Sequence, residues 1–125
     1  MKISRNQFDC LVEQAIAALP PQFARWLNEV AIVVEDEPTP ALLREMGMDA
    51  EDDDLLGLFS GHAITRQSVD DSGILPPQIM LFRGPLIDAC DTSEDLADEI
   101  RVTLLHELGH YAGFDEDDLE RLGYG

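Results

Sequence analysis

Positive charge is scarce in this sequence of 125 residues, in which Lys2 is the only lysine. Eight Lys and Arg residues stand against 26 Asp and Glu, and the formal net charge is −18 at pH 7. Such a chain repels phosphate backbones and anionic lipid headgroups. The composition therefore predicts that neither nucleic acid nor a membrane surface is a partner. Most of the charge is expected to form a solvated acidic surface, and attraction to basic peptide segments is the alternative.

Long apolar runs and paired cysteines are also missing. No stretch of 18 apolar residues is present, which excludes a transmembrane helix, and Asp9 and Glu13 interrupt the N-terminal segment where a secretory signal would be apolar. Cys10 and Cys90 lie far apart in the sequence and form no metal-spaced pair. We interpret them as reduced thiols and predict a cytoplasmic protein.

The remaining pattern is that of one globular domain spanning residues 1–125, with helices and short strands mixed along the chain. The predicted helices cover residues 5–19, 22–28, 39–45, 94–112 and 117–122, with a helical turn over 86–90. The predicted strands cover residues 30–35, which look buried, 55–61 and 78–82. Gly57 within the second strand indicates a bulge or a close backbone approach. Polar loops are predicted over 49–54 and 65–77.

The helix predicted over residues 94–112 has clear signals at both ends. Thr92 or Ser93 can cap its N-terminus, and Glu94 follows in the first turn, where the helix dipole favours negative charge. Gly113 is placed to end the helix in a left-handed conformation.

This helix contains the sequence HELGH. His106 and His110 are four residues apart, so they share one helix face with about 6 Å between their bases. Two imidazoles at that spacing can bind one zinc ion through bonds of about 2 Å. Glu107 projects beside them, where it can take a proton from a zinc-activated water. The motif predicts a zinc cofactor, with Glu107 as the catalytic residue.

A catalytic zinc usually has three protein ligands. Gly113 lets the chain turn back after the helix, and Glu116 lies ten residues beyond His106, the spacing of a third ligand in related motifs. Asp117 and Asp115 occupy the same turn and are the alternatives, in that order.

Further residues are candidates for supporting roles. Glu99 or Thr103, on the same helix, can accept the second ring proton of a metal-binding histidine. His62 is a candidate third ligand or transition-state stabiliser, and Tyr111 and Tyr124 are candidate oxyanion donors.

The segments LLGLFSGHAITRQS, LPPQIMLFRGPL and TLLHELGHYAGFDEDDLERLGY together resemble the minimal zincins, small bacterial proteins of the zincin-like metallopeptidase family. The resemblance covers residues 5–124. It implies a compact α+β fold, with helices on a small mixed sheet and the HExxH helix at its centre. It also implies zinc held by His106 and His110, with Glu107 as general base. The family's motif commonly has aspartate at the position of Glu116.

The expected function is zinc-dependent hydrolysis of peptide bonds, with a peptide or protein substrate added to a sheet edge formed by the strand at 55–61 or by the IMLF segment. So small a domain builds one wall of a cleft, so a homo-oligomer or another partner subunit could complete it. The alternative is a non-catalytic zincin-like module that binds proteins or peptides.

Overall fold

The computed structural model describes residues 2–48, 55–60, 77–114 and 116–121. Within these ranges it has mixed helix and strand content, which confirms the predicted α+β class. The helices are α1 (Arg5–Ala17), α2 (Pro21–Ala24) with a 3₁₀ turn (Arg25–Asn28), α3 (Pro40–Glu45), α4 (Arg83–Asp88), α5 (Ser93–Tyr111) and α6 (Glu116–Arg121). The strands are β1 (Ala31–Glu35), β2 (Gly57–Ser60) and β3 (Gln78–Phe82). The predicted acidic loop at 49–54 and all but the last residue of the loop at 65–77 lie outside the described residues.

The three strands form one mixed sheet in the order β1-β3-β2. β1 runs parallel to β3, with Val33 opposite Met80, and β2 runs antiparallel to β3, with Phe59 opposite Ile79. The last strand in sequence is therefore the central one. The prediction of a buried strand at residues 30–35 is wrong about burial, because β1 lies at a sheet edge and its end residues are exposed. β-Branched residues favour a strand without fixing its place in the sheet.

Side-chain caps explain where α1, α3 and α5 begin. The side chains of Ser4 and Thr39 each accept a hydrogen bond from a backbone N–H of the following first turn, as does Thr92 at the start of α5. These contacts satisfy N–H groups that lack a partner within the helix. α4 begins at Arg83, earlier than the turn predicted over 86–90, because Pro85 is well accommodated in a first helical turn.

The core forms where α5 packs against α1 on one side and against β2 and β3 on the other. Both helices present an apolar row at helical spacing, so each buries one face. The fully or almost fully buried members are Phe8, Val12 and Ala15 of α1, Leu96, Ile100, Leu104 and Leu108 of α5, and Ile79 and Leu81 of β3. α5 is consequently the central helix of the described fold.

An ionic cluster ties the end of β1 to two helices. The carboxylate of Asp36 accepts hydrogen bonds from Arg5 (2.6 Å) and from Arg83 (3.0 Å), and its carbonyl accepts one from the backbone N–H of Gly84 (2.8 Å). The hydrogen bond from Arg83, together with the charges of both arginines, outweighs desolvation and lowers the pKa of Asp36 from its ordinary value of 3.8.

We expect Asp36→Asn to lower Tm slightly at neutral pH. A carboxyl whose pKa is depressed by folding contributes stability above its unfolded pKa and loses that contribution as the pH falls through the folded value. The difference in Tm between the wild type and Asp36→Asn should therefore shrink below about pH 3.8. Thermal unfolding followed by circular dichroism from pH 2 to pH 8, with exposed Asp9→Asn as the control, measures it; a pH-independent difference would contradict the assignment.

Candidate metal centre

The last two turns of α5 carry the HELGH motif, and the end of the helix is sharply defined. Gly113 has a φ of +91°, as predicted for a left-handed terminus. The backbone N–H of Phe114 donates to the carbonyl of Gly109 (2.8 Å), and that of Gly113 donates to the carbonyl of His110 (3.1 Å). This pair of bonds is the Schellman arrangement, which closes a helix and redirects the chain. The motif thus lies next to the reversal that leads into α6.

The structure brings His106, Glu107 and His110 together. The imidazole centroids of the two histidines are 4.7 Å apart, with an angle of 79° between the ring planes. One potential ligand atom from each of the three side chains lies within 4.8 Å of the others. Among the described residues this is the one group of three or more His, Cys, Asp or Glu side chains with that property. Two imidazole nitrogens and a carboxylate at this separation suit a divalent transition-metal ion.

Glu107 is held against the sheet. One of its carboxylate oxygens accepts a hydrogen bond from the backbone N–H of Phe59 in β2, at 2.8 Å, and the residue is only 9% exposed. The N–H of Phe82 in β3 donates to the carbonyl of Leu56. In an antiparallel pair every second residue of a strand directs its backbone N–H and C=O toward the partner strand. Phe59 lies three residues after Leu56, so its N–H points away from β3. The carboxylate therefore lies at the edge of β2 that faces away from β3, where none of the described strands is paired.

The hydrogen bond depends on a close approach between β2 and α5 at Gly57. A Cβ atom on Gly57 would lie 2.6 Å from Cγ2 of Thr103 and 3.2 Å from the carbonyl oxygen of Met80. Thr103 is itself buried beneath the strand. Glycine is thus required here for space, which confirms the prediction that Gly57 marks a close backbone approach.

The segment after the motif returns toward α5. Leu119 of α6 is fully buried and packs where a side chain on Gly109 would otherwise lie. Glu116 begins α6, and Asp117 beside it is exposed. Asp118 forms an ion pair with Arg121 at 3.0 Å. Asp115 lies outside the described residues.

The other predicted candidates take different positions. Glu99 and Thr103 line a pocket that also contains His106 and Glu107. Tyr111 is buried, with its ring 5.7 Å from that of Phe59, so it packs in the core. His62 and Tyr124 lie outside the described residues.

Sequence analysis missed the partnership between Glu107 and Phe59. A backbone N–H carries no signature in the sequence, and the two residues are 48 positions apart. The one signal was Gly57, whose place inside a strand indicated that something approaches the backbone closely.

Comparison with known proteins gives matches of two kinds. A family model described as "Zincin-like metallopeptidase" matches residues 27–125. The fold is similar to that of a conserved hypothetical protein from Thermus thermophilus, with a TM-score of 0.55, 27% sequence identity, and coverage of 96% of this chain and 97% of that chain. No curated protein matches the chain significantly.

In the described part of the chain, no helix is both long and apolar enough to cross a membrane.

Gly57→Ala should separate β2 from α5 and destabilise the protein by about 1–3 kcal/mol, the usual range for an overpacked site. Thr103→Ser removes the methyl group that the new Cβ would strike, so the double variant should regain part of the loss. A double-mutant cycle of urea unfolding, with Thr103→Ser alone as the control, measures the coupling. Strictly additive effects would contradict the close contact.

Proposed function

The chain belongs to the zincin-like metallopeptidase family, and from this premise we propose that it is a zinc-dependent peptidase. The observation that carries the proposal is the grouping of His106, Glu107 and His110 within 4.8 Å. The fixed position of the Glu107 carboxylate, beside the edge of β2 that faces away from β3, supports it. A structural zinc site would be closed by four protein ligands and would have no need of an acid held in this place.

His106 and His110 would hold the zinc ion, with Glu116 as the proposed third ligand and Asp117 and Asp115 as the alternatives. Gly113 reverses the chain and Leu119 anchors α6 on α5, which supports a ligand from the beginning of α6. When bound, zinc supplies a Lewis acid that polarises a carbonyl and brings the pKa of a coordinated water close to neutrality.

Glu107 acts as the general base. It accepts a proton from the attacking water and later donates that proton to the leaving amine. The hydrogen bond from the Phe59 N–H fixes one carboxylate oxygen, so the side chain loses little conformational freedom when the substrate binds. Burial limits the access of bulk water to the carboxylate.

The substrate is an extended peptide that adds to the edge of β2 facing away from β3. On this edge the Phe59 N–H already donates to Glu107. The remaining main-chain groups of β2 that face away from β3 would bind the peptide and bring one of its peptide bonds to the metal-binding group. The IMLF segment, the other strand predicted to bind substrate, is excluded because β3 is paired on both sides. A second subunit would supply the opposite wall of the cleft. We place the protein in the cytoplasm.

Metal analysis tests the ligand assignment. His106→Ala and His110→Ala should each purify without stoichiometric zinc, as measured by inductively coupled plasma mass spectrometry. Glu116→Gln should weaken zinc binding in a chelator competition by more than the roughly 10–100-fold that loss of a ligand's hydrogen-bond partner costs. Asp117→Asn is the matched control on α6; a larger effect in the control would move the third ligand to Asp117.

Glu107→Gln tests the reaction. This variant should keep its zinc and lose about 10²–10⁴-fold in kcat on a quenched fluorescent peptide library, because it lacks a group that can accept a proton. Zinc content and Tm measured on the same preparations separate loss of the base from loss of the fold. Wild-type protein that binds zinc and peptides without cleaving any would identify a peptide-binding module instead.

A further inference from the structure

We propose that a pocket beside the metal-binding group selects a lysine or arginine side chain of the substrate, and that Glu99 is the residue that recognises its positive charge. The inference rests on the proposed peptidase function, since it assigns a specificity to the same cleft. It goes further in naming the substrate class, which is a peptide with a basic residue close to the bond that is cleaved.

The pocket lies between α5 and the beginning of β2. Its volume is about 250 Å³, below the range of about 300–1,000 Å³ that holds a whole small-molecule ligand. This size suits a single long side chain. Its lining comes from the first residue of β2, from the residue before it and from α5: Leu56, Gly57, Glu99, Val102, Thr103, His106 and Glu107.

The pocket has the right length for a basic side chain. Glu99 and His106 are seven residues apart on α5, which corresponds to roughly 10 Å along the helix axis. An extended lysine spans about 6 Å from Cα to Nζ, and an ion pair between its ammonium and a carboxylate spans up to about 4 Å more. A substrate residue whose backbone lies near His106 can therefore reach Glu99.

The chemistry of the walls also changes along the pocket. Leu56 and Val102 supply apolar surface between its ends, where the methylene stem of lysine or arginine can pack while its charged group reaches a polar end. Glu99 is half-buried, and it makes no hydrogen bond or ion pair with any other residue that the structure describes. Its carboxylate is the acidic group at the end away from the metal-binding residues.

The surroundings of Glu99 strengthen its negative field. Burial, followed by the charges of Glu99, Asp95 and Asp91, raises the pKa of the nearby Cys90 thiol. The chain as a whole carries a net charge of −18. A cationic side chain is therefore attracted toward this end of the pocket, and an acidic one is repelled.

Peptide binding to zinc-loaded Glu107→Gln protein is the first test, because the substrate stays intact in this variant. A single lysine is moved along a fluorescent peptide, and each peptide is compared with its norleucine counterpart by fluorescence anisotropy. At one position lysine should bind about tenfold to a hundredfold more tightly, the range expected for a hydrogen bond to a charged group. The preference should weaken as salt is added.

Adding Glu99→Gln to that protein should bring the lysine-to-norleucine ratio close to one, and Glu99→Lys should reverse the preference toward glutamate. Asp98→Asn removes the same charge from an exposed position one residue earlier, so it should leave the ratio unchanged. An equal loss in the Asp98 variant would show that only the overall charge matters, and it would overturn the proposal.

Cleavage by the wild-type protein is the second test and separates this inference from the proposed function. Cleavage with equal kcat/KM for lysine and norleucine peptides would retain the peptidase and overturn the basic pocket. If no peptide is cleaved while Glu99-dependent binding of lysine persists, the peptidase function fails and the pocket stands.

Discussion

The hydrogen bond between the Glu107 carboxylate and the backbone N–H of Phe59 is the contact on which the candidate site depends. It joins the HExxH helix to the edge of β2 that faces away from β3, and it requires the two backbones to come close together. Gly57 permits that approach because its missing side chain leaves room for Thr103. The proposed base, the strand edge for a peptide and the pocket that ends at Glu99 are all positioned by this one helix–strand contact.

The same helix must satisfy two opposing demands. One face of α5 forms the centre of the hydrophobic core, with Leu104 and Leu108 fully buried. The adjacent face carries His106, Glu107 and His110 into a partly shielded position. Polar groups in such a position are costly unless they are paired. A strand N–H meets part of this demand for Glu107.

Local sequence signals predicted the helices well. The helix predicted over residues 94–112 is observed as Ser93–Tyr111, because Thr92 and Gly113 provide signals that act within a few residues. The strand predicted over residues 78–82 is observed at the same bounds. The order of the strands was not predictable, since hydrogen bonding between β1, β2 and β3 joins segments far apart in the chain. The burial of residues 30–35 was misjudged for that reason.

The sequence by itself determined the stripe of His106, Glu107 and His110, because residues three and four apart on a helix necessarily share a face. It also determined the end of the helix at Gly113, because the left-handed conformation that ends the helix there is easily adopted only by a residue that tolerates positive φ. Only the tertiary structure decided that Glu107 faces the backbone of Phe59 and that Glu99 shares a pocket with Leu56. Those pairs are more than 40 positions apart, and their meeting depends on how α5 packs against β2 and not on any local pattern of residues.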